Sequence, residues 1–226
     1  MKTNLDEIRD ICKCLLNLPI EENEEFLFIL THPYFEFIEV PIGDSGSFGM
    51  INVTTPGGFQ KAVDFWEERI DKMDLISLFM SIRKQYRLLL FKLSKDFLSE
   101  KDFADMLAHV WVESENPNMD INVSINESAE FFKEANKEIL MEPEDYNYYL
   151  SLPDEFTIYR GVSKGRTEKG LSWTRNKEKA EWFASRFGSG YVLQATAKKR
   201  NVLAYFNTRD EDEIVIHPRN LKYKKL

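Results

Sequence analysis

The sequence predicts an α+β fold: a largely helical part over residues 1–150, then a small, mixed and mostly antiparallel β-sheet part over residues 151–226. Three observations predict it. Before residue 150, long stretches carry apolar residues three and four apart, the period of an amphipathic helix. After Leu152-Pro153-Asp154 the texture changes to short β-rich runs separated by turns, FTIYRGV, GLSWT, YVLQATA, NVLAYF and EIVIHP. A single helical stretch, NKEKAEWFASRF, interrupts those runs, which favours a compact sheet with a helix packed on it.

In chain order, LDEIRDICKCLLNL places Leu5, Ile8, Cys12, Leu15 and Leu16 on one helical face, and Pro19 ends that helix. EEFLFILTHPYFEFIEV reads as a short helix followed by an extended piece after Pro33. Gly43 to Phe59 is glycine-rich. A phosphate-cradling loop has this texture, but the Gly-Lys-Ser/Thr ending is missing and the stretch reads as a turn-rich surface loop. Residues 60–98 contain neither proline nor glycine, and Trp66, Ile70, Met73, Phe79, Ile82, Tyr86, Leu89, Leu90, Leu93 and Phe97 sit near helical spacing. One long helix or two joined ones, with an apolar core stripe, follow from that pattern. Ser99 with Asp102, and Ser124 with Glu127, have the spacing of helix caps, and Pro143 suits the first turn of a further helix. His109 and Trp111 in the middle helix could serve a site, with core or surface packing as the plainer role. In the second part, Asn176 caps the single helix, Gly188 stops it, and Ala180, Phe183, Ala184 and Phe187 form its buried face.

Composition narrows the class. No apolar run reaches the length of a membrane span, and the acidic start MKTNLDEIRD is not a secretory signal. Two cysteines, Cys12 and Cys14, are too few for a disulfide framework or a metal site, so a reduced, cytoplasmic protein is expected. The net charge of −8 is unevenly divided: residues 151–226 hold 16 Lys+Arg against 9 Asp+Glu, a balance of +7, whereas residues 1–150 are acidic. A basic second part either attracts an anionic ligand, nucleotide or nucleic acid, or docks on the acidic first part.

Chemistry concentrates in three places after residue 150. Arg160 lies in the first strand, in Tyr159-Arg160-Gly161. Alternation puts it on the face of Phe156 and Ile158, where a guanidinium needs an anionic partner or the edge of a cleft. Ser172-Trp173-Thr174 is a hydroxyl-bearing strand, with both hydroxyls on one face. Asp210-Glu211-Asp212-Glu213 crowds four acids directly onto Ile214-Val215-Ile216, with Glu211 and Glu213 on a shared face. Adjacent carboxylates raise one another's pKa, so the crowding asks for a nearby cation.

In this order and spacing, residues 156–218 resemble the mono-ADP-ribosyltransferases with an arginine–serine–glutamate motif. That family carries an arginine on its first core strand, often before glycine, a Ser-Thr-Ser-like strand, and a Glu-x-Glu or Gln-x-Glu pair opening a late strand. Here the counterparts are Arg160-Gly161, Ser172-Trp173-Thr174, with Trp in the middle position, and Glu211-Asp212-Glu213. The resemblance implies NAD as substrate and a macromolecular acceptor. Glu213 would bond the nicotinamide ribose and stabilise its oxocarbenium-like cation, and Glu211 would activate or position the acceptor. Arg160 would hold the pyrophosphate. The Gly161 backbone would allow close approach of the nicotinamide amide, Ser172 would orient Glu213 or the ribose, and Thr174 would complete that strand's contribution. Phe183 and Tyr191 would wall the nicotinamide, whereas Trp173 and Trp182 read as packing. The combination with a helical first part resembles proteins encoded by bacteriophages, which implies an effector acting on a host protein in the host cytosol.

Three other functions stay in view. A degenerate transferase scaffold would bind and inhibit a partner. A magnesium-dependent nuclease would use the acids at 210–213, but a second acidic cluster after residue 150 is lacking. A nucleic-acid binder would use the basic second part, which has no recognisable helix-turn-helix, zinc or RNA-binding motif.

Overall fold

Acidic residues in the first turn, Lys13 in the last and an apolar stripe at helical spacing make Leu5–Leu16 an amphipathic helix (α1) that buries Ile8, Cys12, Leu15 and Leu16. The computed structural model to which it belongs describes residues 1–22, 25–26, 28–44 and 47–226. It divides into two compact units, Met1–Ser99 and Glu100–Leu226.

In the first unit α1 is followed by two short paired strands, β1 (Glu21–Glu22) and β2 (Leu30–Thr31), and by an isolated bridge between Ile29 and Phe37. The short helix expected here does not form among the described residues. His32 is fully buried; its Nδ1 accepts the backbone N–H groups of Tyr34 and Phe35 at 3.1 and 3.2 Å, and Nε2 lies 3.1 Å from the Leu18 carbonyl. Such side-chain bonds offer the backbone an alternative to the helical ladder, and Pro33 disfavours helix at the residue before it. The glycine-rich stretch forms a hairpin of β3 (Glu39–Asp44) and β4 (Ser47–Asn52) and then opens α2 (Pro56–Ile70); residues 45–46 lie outside the described residues. Thr55 caps α2 by accepting the Gly58 N–H at 3.1 Å. The run 60–98 is broken into α2, α3 (Leu75–Ser81) and α4 (Arg87–Ser94) rather than one or two helices. Asp74, which accepts the Ser77 N–H at 2.8 Å, starts α3, and extended backbone at Ile82 and Arg83 stops it.

The second unit begins with four helices, α5 (Glu100–Glu113), α6 (Ile125–Glu134), α7 (Lys137–Leu140) and α8 (Pro143–Ser151). The Ser124–Glu127 capping box forms as expected. One six-stranded sheet follows: β5 (Glu155–Val162), β6 (Ser172–Thr174), β7 (Tyr191–Lys198), β8 (Val202–Phe206), β9 (Glu213–Ile216) and β10 (Tyr223–Lys225), with α9 (Lys177–Ser185) between β6 and β7. Strand order is β10-β7-β5-β6-β9-β8 and each neighbouring pair is antiparallel.

A division near residue 150 is therefore replaced by one at Ser99/Glu100. Helices α7 and α8 belong to the sheet because they satisfy its edge strand and the turn beyond it. Lys137 donates to the Val202 carbonyl at 2.7 Å, the Tyr205 N–H points at Met141 Sδ at 3.3 Å, and the Asn207 N–H donates to Asp145 at 3.0 Å.

Register fixes which side chains share a face. Tyr159 pairs with Thr174, Thr174 with Glu213, and Glu213 with Phe206, a row running across four strands. Helix α9 packs on that face, its Ala180 and Ala184 joining Val192 and Tyr159 in a small core. Phe183 is only half-buried there and Phe187, expected inside, is 49% exposed. Along β5 alternate residues are buried: Phe156, Ile158, Arg160 and Val162 occupy the opposite face.

Candidate active site

Antiparallel pairing of β5, β6 and β9 places the three motif strands side by side in mid-sheet. At their junction a cavity of about 190 Å³ is lined by Glu211, Glu213, Ser172, Thr174, Phe183 and Arg166, among others, and is also bordered by Arg160 and Gly161.

Glu213 opens β9 and is held from two sides. Trp111, the last buried residue of α5, donates its indole N–H to Glu213 Oε1 at 3.1 Å. Ser172 hydrogen-bonds the same carboxylate, and the Ser172 hydroxyl accepts from Asn118 Nδ2 at 2.8 Å. Although Glu213 keeps partial surface exposure, burial is the largest influence on its carboxyl and pushes its pKa up. The Ser172 and Trp111 bonds and the charge of Arg160 oppose that rise, whereas Glu211 adds to it. The result is a carboxylate in low dielectric, stabilised by aimed donors and facing open space.

The crowded acids separate by backbone geometry. Asp210 and Asp212 adopt left-handed backbone, with φ of 54° and 51°, a conformation Asp tolerates better than most residues. Asp210 is turned outward to Lys179 at 3.0 Å. Asp212 accepts the Tyr205 hydroxyl at 2.9 Å. Glu211 and Glu213 both line the cavity, but β9 opens only at Glu213 and Asp212 is left-handed, so strand alternation is not what brings them together. Lys198 pairs with Glu155, and Lys199 donates to the Leu150 carbonyl. Among the described residues no group of three His, Cys, Asp or Glu is arranged to hold a metal ion.

Arg160 and Gly161 are put to other uses than the resemblance implies. The Arg160 side chain is 8% exposed and is committed to backbone: Nη1 donates to the Ser172 carbonyl at 2.6 Å and Nη2 to the Thr167 carbonyl at 3.0 Å. Gly170 lacks a side chain where one would meet the guanidinium, 2.8 Å from Nη1. Burial lowers the Arg160 pKa to about 10, against the opposing pull of Glu213, so it stays charged at neutral pH. It braces the loop between β5 and β6 from the face opposite Glu213 and thereby sets the position of Ser172. At Gly161 a Cβ would strike the Ala180 carbonyl and stand 2.6 Å from the Ala184 nitrogen. The approach of α9 requires glycine there, and the residue also borders the cavity.

Of the remaining expected residues, Thr174 is buried, lines the cavity and uses its hydroxyl to accept the Asn176 N–H at 3.1 Å, which leads into the α9 cap. Phe183 presents a ring to the cavity. Tyr191 stands apart from that lining: it bonds Glu168, and Lys225 sits 3.7 Å above its ring. Trp173 packs, as expected, against Tyr223.

Sequence reasoning named Trp111 but favoured packing for it, and missed Asn118; both come from the helices before the sheet. It also missed Arg166 and Arg186, which border the cavity. A usable signal existed for Asn118: the turn-forming Asn116-Pro117-Asn118 directly after the helix carrying Trp111. Neither a family model, nor a curated protein, nor a solved structure matches this chain.

Proposed function

We propose that the chain is an NAD-dependent mono-ADP-ribosyltransferase that moves ADP-ribose to a macromolecular acceptor and releases nicotinamide, in the setting of a phage effector acting on a host protein. The observation that carries this reading is Glu213. It is a carboxylate at the mouth of a mid-sheet strand, bonded by Ser172 and Trp111, with Glu211 beside it in the same cavity. Heterolysis of the bond between ribose C1′ and nicotinamide leaves the electron pair on neutral nicotinamide and positive charge on the sugar. A preorganised anion in a partly desolvated site lowers that barrier. The acceptor atom then bonds to C1′ and its proton passes to Glu211 and on to solvent. Phe183 supplies an apolar wall for the departing ring, and the guanidinium groups at the rim suit a substrate with two phosphates.

A second reading, a non-catalytic relative that binds and inhibits a partner, draws on one observation: the motif arginine is spent on two backbone carbonyls. Incubation of the purified chain with labelled NAD and cell lysate, with and without EDTA, separates the two. A transferase releases nicotinamide and labels a macromolecule, protein or nucleic acid, in either buffer. Glu213→Gln removes the anion at constant shape and is expected to slow release by about a hundredfold or more. Release sustained in that variant, or absent from the unaltered chain, refutes the transferase.

A further inference from the structure

If Arg160 is bonded to backbone, the phosphates of an anionic ligand need other partners. Two guanidinium groups border the same cavity. Arg166 lies in the loop after β5, with its guanidinium carbon 5.0 Å from the centroid of the Phe187 ring. Arg186 follows the last turn of α9, with its guanidinium carbon 5.2 Å from the same centroid and 5.4 Å from that of Trp182. One exposed ring therefore holds both cations as neighbours, although like charges repel. No carboxylate pairs with either of them among the described residues, in contrast to Arg209, also on the cavity wall, which meets Glu113 at 3.5 Å. The charge of Arg166 also reaches Arg160 and adds to the lowering of its pKa, so positive potential accumulates at this end of the cavity. A guanidinium held over an aromatic face keeps its in-plane N–H groups available for bidentate binding of phosphate oxygens.

We infer that Arg166 and Arg186, held on Phe187, form a binding site for the diphosphate group of a nucleotide, in place of the motif arginine. The inference rests on the transferase reading for the identity of the ligand, but the site itself requires only a diphosphate. It was absent from the motif because neither arginine belongs to one. Phe187, exposed without a packing role in the core, gains one as the platform between the two cations.

The test is calorimetric titration of the full chain with ADP and with inorganic pyrophosphate. The expected result is saturable binding of both, weakened about tenfold or more in the Arg166→Gln/Arg186→Gln double variant, with a smaller loss in Phe187→Leu. Arg186 is exposed and Arg166 half-buried, and an unchanged thermal unfolding midpoint will show that the double variant folds. Glu213→Gln should retain ADP binding. Equal affinity of the double variant and the unaltered chain for ADP, or no binding of either probe to the unaltered chain, overturns the inference. Binding that depends on the arginines in a chain that releases no nicotinamide upholds the site and sinks the transferase. Nicotinamide release with arginine-independent ADP binding sinks the site alone.

Discussion

Trp111→Phe removes the indole N–H beside Glu213 together with part of a buried ring system, so some packing is lost with the bond. The indole N–H that donates to Oε1 at 3.1 Å is lost, whereas a six-membered ring remains to meet Phe132, whose centroid lies 5.0 Å from that of Trp111. A hydrogen bond to a charged group contributes about 1.5–3 kcal/mol, and each pH unit of displacement corresponds to about 1.4 kcal/mol. The bond favours the anion, so its loss moves the Glu213 titration further upward, in the direction burial already drives it, by about one to two pH units. The sign for stability follows. A carboxyl raised above its unfolded value contributes stability at low pH that disappears as pH rises through the folded-state titration. The variant should therefore be most destabilised where Glu213 is ionised and least so in acid. Carbon-13 NMR of glutamate-labelled protein, with Glu213 assigned through Glu213→Gln, reads the titration directly. The acid limb of nicotinamide release should move by the same amount. An unmoved or downward-shifted Glu213 titration would show that the indole does not hold the anion.

Three further outcomes follow from the same geometry. Arg160→Met leaves the Ser172 and Thr167 carbonyls without their donor, and a loss of about 2–4 kcal/mol is expected in urea unfolding; a fully stable variant with weakened nucleotide binding would restore the ligand role to this residue. Gly161→Ala drives a methyl group into the α9 backbone and should cost about 1–3 kcal/mol or prevent folding, read by thermal unfolding, whereas Gly165→Ala, where a Cβ meets open space at φ +77°, should cost only the local backbone strain of about 1 kcal/mol. Asn118→Ala frees the Ser172 hydroxyl of its donor and should reduce nicotinamide release more than it lowers the unfolding midpoint.

How far the chain could be read in advance depended on the range of the interactions. Helix α1, the capping box at Ser124, the α9 cap at Asn176 and strands β5 to β9 all follow from residues a few positions apart. The short helix expected before Pro33 failed because a buried imidazole captures backbone N–H groups, something periodicity does not register. The domain boundary failed for a related reason. A change of texture at residue 152 is local, but the partners that α7 and α8 need, the edge of β8 and the turn after it, lie some sixty residues further on. At the site, alternation put Arg160 among core residues, whereas Glu211 and Glu213 share the cavity through the turn at Asp212, before the strand begins. Alternation also held what the motif obscured: with Ile158 buried on its own face, the arginine stands across the sheet from Glu213. Tyr191 shares that side of the sheet through its pairing with Val162 and is absent from the cavity lining.

The residues that hold Glu213 and Ser172 reach them from 102 and 54 positions earlier in the chain. A ribosome finishes Trp111 and Asn118 well before it reaches the last acid of the motif. The carboxylate thus enters its tuned surroundings only when the final strands are threaded between partners already made. A proteolytic cut anywhere between Asn118 and Glu155 that let the two pieces drift apart would spare the motif intact as a string of letters while disarming it as chemistry.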